Sequence, residues 1–266
     1  MKRRFHKMHG LGNDFVIVDA RTEPFAVSPA LARAISDRRT GVGCDQLIVL
    51  EPSDVADLRM RIWNSDGGEV ESCGNATRCV VQLTGAKKID SGGGLLEGEQ
   101  LGAEVEVAMG EPRFGWDEIP LAYPMDTAAL PMAWGELEHP MALNVGNPHV
   151  VFFVPDAREV PLDELGPKIE NDPAFPERIN VNVASCVDGR LKLRTFERGA
   201  GETLACGTGA CASAVAAIAT KRAQSPVTVD MAGGNLTISW APGKPVRMRG
   251  GATHVFEGEL ELEALQ

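Results

Sequence analysis

The chain has no apolar run that approaches a bilayer span. Runs such as Val150 to Val154 fall far short of the roughly 20 residues a membrane helix needs. Positive charge is scarce: 26 Lys and Arg face 37 Asp and Glu, giving a net charge of −11 and a pI near 5.0. That balance excludes a surface built to grip nucleic-acid phosphates or an anionic membrane. The opening MKRRFHK could begin a signal peptide, but no apolar segment follows it, so none is expected and a cytoplasmic protein is. Also lacking is any C-x2-C pair. The spacings Cys73-x5-Cys79 and Cys206-x4-Cys211, with no His near either, do not suit a zinc site. What remains is an ordinary globular composition, 44% hydrophobic and 24% charged over 266 residues, with room for one large domain or two of average size.

The chain contains itself twice. Met60 to Asn75, MRIWNSDGGEVESCGN, aligns without gaps on Leu193 to Thr208, LRTFERGAGETLACGT. The matched residues are Arg61/Arg194, Gly68/Gly201, Glu69/Glu202, Cys73/Cys206 and Gly74/Gly207, at an offset of 133, half the chain length. Three further pairs, Asn13/Asn147, Gln46/Asn180 and Asn64/Glu197, fall at 134, 134 and 133. Such ordered matches predict a duplicated domain. LRMRIW and RLKLRTF alternate as strands, and each is followed by a polar Gly-rich turn, a cysteine and a helix. The second helix, TGACASAVAAIAT, is small-sided nearly all round and should be buried. The expected fold is α+β, with two pseudo-symmetric duplicated domains, each a mixed β-sheet or barrel around a central helix. Domains are expected at 1–115, completed by 253–266, and at 116–252. One strand, Ala103 to Met109, is expected in the Gly-rich segment 90–115. The tail GELELEAL reads as a solvated edge segment.

Four cysteines, Cys44, Cys79, Cys186 and Cys211, read as small buried hydrophobes. Cys73 and Cys206 stand instead at helix starts, where N–H groups and the helix dipole should lower a thiol pKa from about 8.5 toward neutrality. One such cysteine would suggest a nucleophile. Two in duplicated copies suggest inversion of a carbon, which needs a base on one face and an acid on the other. Helix N-termini would supply N–H donors to a neighbouring carboxylate. A pyridoxal enzyme would need a Schiff-base lysine, and the repeated segments contain none. The residue pattern thus points to a cofactor-independent racemase or epimerase without a metal. The set Asn13, Gln46, Asn64, Asn147, Asn180, Glu197 and Arg198 suits a zwitterion. Arg198, standing where the first copy has Ser65, would take a second carboxylate bidentately. A thiol redox sensor and a binding protein without turnover are the rival classes. The first would make oxidation abolish activity, and the second leaves the paired cysteines without a purpose.

The segments MHGLGNDFVIVD, GVGCDQL, NSDGGEVESCGNATRC, NVGNPHVVFF and ERGAGETLACGTGACA together resemble the diaminopimelate epimerase family, from about Met8 to Ala219, with a fainter match at VFEGE. The resemblance implies interconversion of LL- and meso-diaminopimelate in lysine and peptidoglycan-precursor synthesis. It implies that Cys73 takes the α-proton from the LL isomer while Cys206 protonates the opposite face, supported by His149 and Glu197. It assigns Asn13, Gln46, Asn64, Asn147, Asn180 and Arg198 to substrate, with Gly74, Asn75, Gly207 and Thr208 as backbone contacts. It also implies a homodimer and a last strand that returns to the first domain. DSGGGLLE departs from the ETxAG-like turn of the family, outside the site motifs. A proline or hydroxyproline racemase is the nearest rival, but an imino acid needs neither Arg198 nor so many amides.

Overall fold

A computed structural model describes residues 2–71 and 73–265; the expected domain ends at 1 and 266, and Ser72 of the first cysteine motif, lie outside them. The chain forms two compact units, Met1–Val107 with Gly250–Gln266, and Ala108–Arg249. Residues 108–115, expected in the first domain, lie in the second unit. There Met109 N–H bonds to Val246 O and Arg113 exchanges backbone bonds with Asn144.

In the first unit β1 (Lys2–Gly10) folds back on β2 (Asn13–Asp19). A short helix α1 (Pro29–Ser36) carries the chain to β3 (Gln46–Glu51), which runs parallel to β2. Helix α1 starts where it does because Ser28 Oγ accepts the Leu31 N–H at 3.1 Å and Pro29 occupies the first turn. β4 (Leu58–Asn64) returns antiparallel to β3, and β5 (Glu69–Val70) turns back on β4. Next come α2 (Gly74–Thr84), β6 (Lys88–Ser91) parallel to β4, β7 (Gly94–Leu101) antiparallel to β6, and β8 (Glu104–Ala108). The chain's last strand, Thr253–Glu261, pairs with the free side of β1. Helix α2 packs on β1 and β7 and buries Asn75 through Val81.

The second unit opens with a two-residue hairpin, β9 (Ala133–Trp134) and β10 (Leu137–Glu138). It then repeats the first unit's plan. β11 (Met141–Asn144) and β12 (Pro148–Phe153) form the antiparallel pair, and α3 (Leu162–Glu170) crosses to β13 (Asn180–Val187), parallel to β12. β14 (Arg190–Glu197), β15 (Gly201–Thr203) and α4 (Gly207–Ala219) follow. β16 (Val227–Met231) lies parallel to β14, and β17 (Gly234–Ser239) and β18 (Arg247–Gly251) complete the sheet. The returning strand is β19 (Thr253–Glu261).

The duplication holds at the level of register. Phe15 faces Gln46 across β2–β3 as His149 faces Asn180 across β12–β13. Trp63 faces Glu69 as Phe196 faces Glu202. The matched Arg and Glu of the sequence repeat form the same bidentate pair in each unit: Arg61–Glu69 at 2.7 and 2.8 Å, and Arg194–Glu202 at 2.7 and 2.8 Å. Each clamps the short hairpin that delivers its cysteine.

Helix α4 packs against β11, β12, β13, β14, β16 and β17, and every residue from Gly209 to Ala217 is buried. Its small side chains are the condition for this enclosure, because a larger residue on any side would meet a strand. Three expectations need correction. The segment 90–115 holds strand β7 as well as β8, since the Gly-interrupted GLLEGEQL pairs with β6 despite lacking clean alternation. In the tail, Leu260 is buried against the first unit's core, so GELELEAL is more than a solvated edge. Cys186, near the end of β13, is exposed, whereas Cys44, Cys79 and Cys211 are buried as expected. Among the described residues no helix is long and apolar enough to cross a membrane.

Replacing Ala214, fully buried in α4, with Leu is expected to destabilise the protein by about 1–3 kcal/mol through overpacking. Urea denaturation followed by circular dichroism measures it.

Candidate active site

In the first unit the left-handed Gly12 (φ 88°) turns the chain so that Asn13 opens β2. Asn13 Nδ2 donates to Asp45 Oδ2 at 2.9 Å, and a carboxylate can only accept, so the other end of the amide is fixed as Oδ1. That oxygen accepts from Asn75 Nδ2 at 3.2 Å and lies 3.8 Å from Cys73 Sγ, which donates to it. Asn75 is oriented in turn by the fully buried Arg78, whose Nη2 donates to Asn75 Oδ1 at 3.0 Å while its Nε reaches Gly251 O. Cys73 is the half-buried N-cap of α2, and Gly74 is the first helical residue. Asp45 is held by Arg38 at 2.8 Å. The adjacent Asp14 binds Arg38 and Lys7; burial alone would raise its carboxyl, but these cations hold it well below the usual carboxylate range.

Gln46 and Asn64 face each other across β3–β4, with Gln46 Nε2 donating to Asn64 Oδ1 at 2.8 Å. Gln46 Oε1 is buried without a partner among the described residues. Such an orphan acceptor costs about 1–3 kcal/mol and suits a ligand donor.

In the second unit the left-handed Gly146 (φ 107°) sits 134 residues after Gly12 and precedes Asn147. Cys206, the N-cap of α4 and 3% exposed, accepts Gly209 N–H at 3.3 Å and lies 3.5 Å from Thr208 Oγ1. Asn147 Nδ2 donates to Thr208 Oγ1 at 3.2 Å, and its Oδ1 meets His149 Nε2 at 2.8 Å. His149 is fully buried, and its Nδ1 meets Asn182 Nδ2 at 3.0 Å. Asn180 spends its amide on backbone, donating to Pro148 O and accepting Arg198 N–H. The Arg198 guanidinium uses one Nη1 donor on Glu177 O at 3.0 Å. Glu197 accepts from Thr203 Oγ1.

The electrostatics revise one expectation. The helix terminus does not bring the Cys206 thiol toward neutrality. Burial and the nearby Glu197 carboxylate push it well above its ordinary value, and the Thr208 and Gly209 hydrogen bonds do not offset them. Desolvating a thiolate outweighs a helix-end effect of about a kilocalorie. Cys206 therefore rests as a thiol. His149 is driven the other way, to about 3, first by burial and then by Arg198, so it is neutral at working pH. Cys79 is pushed up to about 12 by burial, as befits an inert core thiol. Among the described residues no group of three His, Cys, Asp or Glu could hold a metal ion.

Of the residues singled out in the sequence, Cys73, Asn13 and Asn75 join one hydrogen-bonded cluster, and Cys206, Thr208, Asn147 and His149 join another. Gln46 and Asn64 form a pair of their own. Gly207, like Gly74, is the first residue of its helix. Three partners of these side chains, Asp45, Arg78 and Asn182, are visible only in the structure. Asp45 and Arg78 lie inside the matched motifs, but nothing in one sequence marks them as partners of an amide.

Two units built on one plan, each delivering an N-cap cysteine and a set of oriented amides, make an α+β fold of the racemase and epimerase kind. Solved structures bear this out at the level of fold. A hydroxyproline epimerase from Agrobacterium vitis superposes with a TM-score of 0.65 at 14% identity, over 97% of this chain and 91% of that one. A phenazine biosynthesis protein from Bacillus anthracis does so at 0.70 and 16%, over 98% and 99%. The sequence match is narrower. The family model described as diaminopimelate epimerase covers residues 5–115 and 141–255. Diaminopimelate epimerases from Rhizorhabdus wittichii and Sphingopyxis alaskensis are 64% and 61% identical, over 99% and 98% of this chain and 97% and 98% of theirs. The chain belongs to the diaminopimelate epimerase family. It is an amino-acid epimerase, an isomerase with a small-molecule substrate.

The buried His149 makes a prediction about stability. Folded, it stays neutral down to about pH 3; unfolded, it takes a proton near 6.5. The unfolded chain binds the extra proton across that window, so this contribution to stability is whole above 6.5 and is lost as pH falls. In urea titrations between pH 6.5 and 4, His149→Gln should flatten the pH dependence by about 1.4 kcal/mol per pH unit relative to wild type.

Proposed function

We propose that the epimerisation of diaminopimelate by this chain runs through Cys73 and Cys206 as the two acid–base groups. In the LL-to-meso direction Cys73 first gives up to solvent the proton it points at Asn13 Oδ1, then as a thiolate takes the α-proton and becomes a thiol. The electron pair left on carbon is shared with the α-carboxylate, and Cys206 gives its proton to the opposite face and becomes a thiolate. The reverse direction exchanges the roles. The observation that carries this reading is the equivalence of the two thiols. Each is the N-cap of the helix that follows the repeated hairpin, and the resting thiol state of Cys206 fits an acid toward the LL isomer.

The first-turn N–H groups at Gly74, Asn75, Gly207 and Thr208 are donors suited to a carboxylate whose charge grows. The orphan Gln46 Oε1, and the amide hydrogens and lone pairs that Asn13, Asn64, Asn147 and Asn180 have left beyond their protein bonds, take ammonium and carboxylate groups. Arg198 binds the distal carboxylate, since a guanidinium has five donors and only one Nη1 contact is spent on Glu177 O. Glu197 and the neutral His149 adjust the Cys206 proton without taking part in its transfer. The acidic composition supports a cytoplasmic enzyme in lysine and peptidoglycan-precursor synthesis, and the family resemblance supports a homodimer. Light scattering should then read twice the chain mass of 28.4 kDa.

The test is α-proton exchange in D2O, followed by NMR with reductant present and without pyridoxal phosphate or metal. LL-diaminopimelate should exchange and give the meso isomer, while L-proline and trans-4-hydroxy-L-proline should not react. Exchange of an imino acid alone would overturn the substrate. Cys73→Ala and Cys206→Ala should each fold normally and lose epimerisation. If both retained more than a tenth of the rate, a deficit under ~1.4 kcal/mol, the two-base assignment would be wrong. Arg198→Met should weaken a two-carboxylate ligand far more than an analogue with one.

A further inference from the structure

The second unit contains a hydrogen-bond chain whose direction is fixed from its far end. Asn182, fully buried in β13, donates from Nδ2 to Val150 O at 3.0 Å. A carbonyl can only accept, so this nitrogen is identified. The other end is then the oxygen, and it accepts from the Thr195 hydroxyl at 3.0 Å. The second Nδ2 hydrogen must then point at His149 Nδ1, 3.0 Å away, which makes that ring nitrogen the acceptor. A neutral imidazole accepting at Nδ1 carries its hydrogen on Nε2. Nε2–H donates to Asn147 Oδ1, which aims Asn147 Nδ2 at Thr208 Oγ1. A hydroxyl that accepts there has its own hydrogen free to face Cys206 Sγ, 3.5 Å away.

We propose that Asn182 is a positioning residue for Cys206. It selects the Nε2–H form of His149, and so orients three successive donors, His149, Asn147 and Thr208, toward the sulfur. This rests on Cys206 being one of the two acid–base groups. The chain stabilises the thiolate that Cys206 becomes after giving its proton to substrate, the state that burial and Glu197 oppose. The charged groups acting on the chain within this unit are Glu197, against Cys206, and Arg198, against His149. Neither sets the tautomer, because neither hydrogen-bonds the ring; Asn182 and Asn147 do. The first unit is wired oppositely. Asp45 turns Asn13 so that a carbonyl oxygen, an acceptor, faces Cys73. The sequence repeat thus matches the amides at 13 and 147 but not their polarity. Space at the helix start reflects the same constraint: a Cβ on Gly209 would lie 2.6 Å from Asn182 Oδ1 and 2.8 Å from Thr195 Oγ1.

The experiment needs no turnover. Nitrogen-15 NMR of imidazole-labelled wild-type protein should show His149 as a single neutral Nε2–H tautomer at pH 7. An Nδ1–H tautomer in wild type would overturn the proposal outright. Asn182→Ala should mix the tautomers and raise the pH midpoint of Cys206 alkylation by iodoacetamide, followed on the Cys206 peptide by mass spectrometry. The expected rise is about one pH unit, which is roughly tenfold slower alkylation below the midpoint. Thr195→Val, which removes only the hydroxyl that fixes the Asn182 oxygen, should act in the same direction, and Thr195→Ser should restore the wild-type midpoint. Unchanged tautomer and midpoint in both Asn182→Ala and Thr195→Val would overturn it. Loss of activity in Cys206→Ala tests the underlying mechanism separately, so failure of one leaves the other standing or falling by itself.

Discussion

A thiol at the first turn of an enclosed helix is the constraint from which most of this structure follows. The enclosure keeps the sulfur from bulk water, yet a buried thiolate is costly unless donors surround it. The helix N-terminus offers such donors only if other elements can close around it. In the second unit that closure dictates the composition of α4, whose alanines, glycines and serine let six strands approach. Cys206 pairs with Gly209 N–H inside this enclosure, and burial still dominates its proton affinity.

The amides around each cysteine are consequences of the same constraint. An Asn side chain can be read by its neighbours in either sense, and a nearly symmetric amide beside a thiol would give no defined field. Each unit removes that ambiguity with a group of one polarity. In the first it is a carboxylate, Asp45, and a buried guanidinium, Arg78; in the second it is a backbone carbonyl, Val150 O. Fixed polarity propagates through Asn13 and Asn75 on one side and through His149 and Asn147 on the other. The duplicated scaffold therefore carries two sites with the same geometry at the backbone and different wiring at the side chains.

Much of this was legible from the chain alone, because the offset near 133 links residues whose cross-strand partners also match. Arg61 with Glu69 and Arg194 with Glu202 are visible as repeated letters, and they prove to be the same ion pair twice. The helix after Cys206 followed from small residues without proline, and the helix after Cys73 from the duplication. Strand β7 was not legible, since its stability comes from pairing with β6 and not from its own alternation. Cys186 was misjudged because burial depends on where a strand ends, and a cysteine's preference for the core does not decide that. The proton affinity of Cys206 was hidden for a related reason: local sequence reports a helix start, while the cost of desolvation depends on how completely distant strands cover it.

The family, the duplication, the α+β class and the placing of Cys73 and Cys206 at helix starts are all readable from the chain, because they depend on residue identity and spacing, which a linear chain records. Tertiary structure alone decided the proton affinity of Cys206, the neutrality of His149, and the direction in which each amide points. Those properties are set by which carbonyl, carboxylate or void faces a polar atom, and Asn182 meets His149 only because β12 and β13 run side by side in one register.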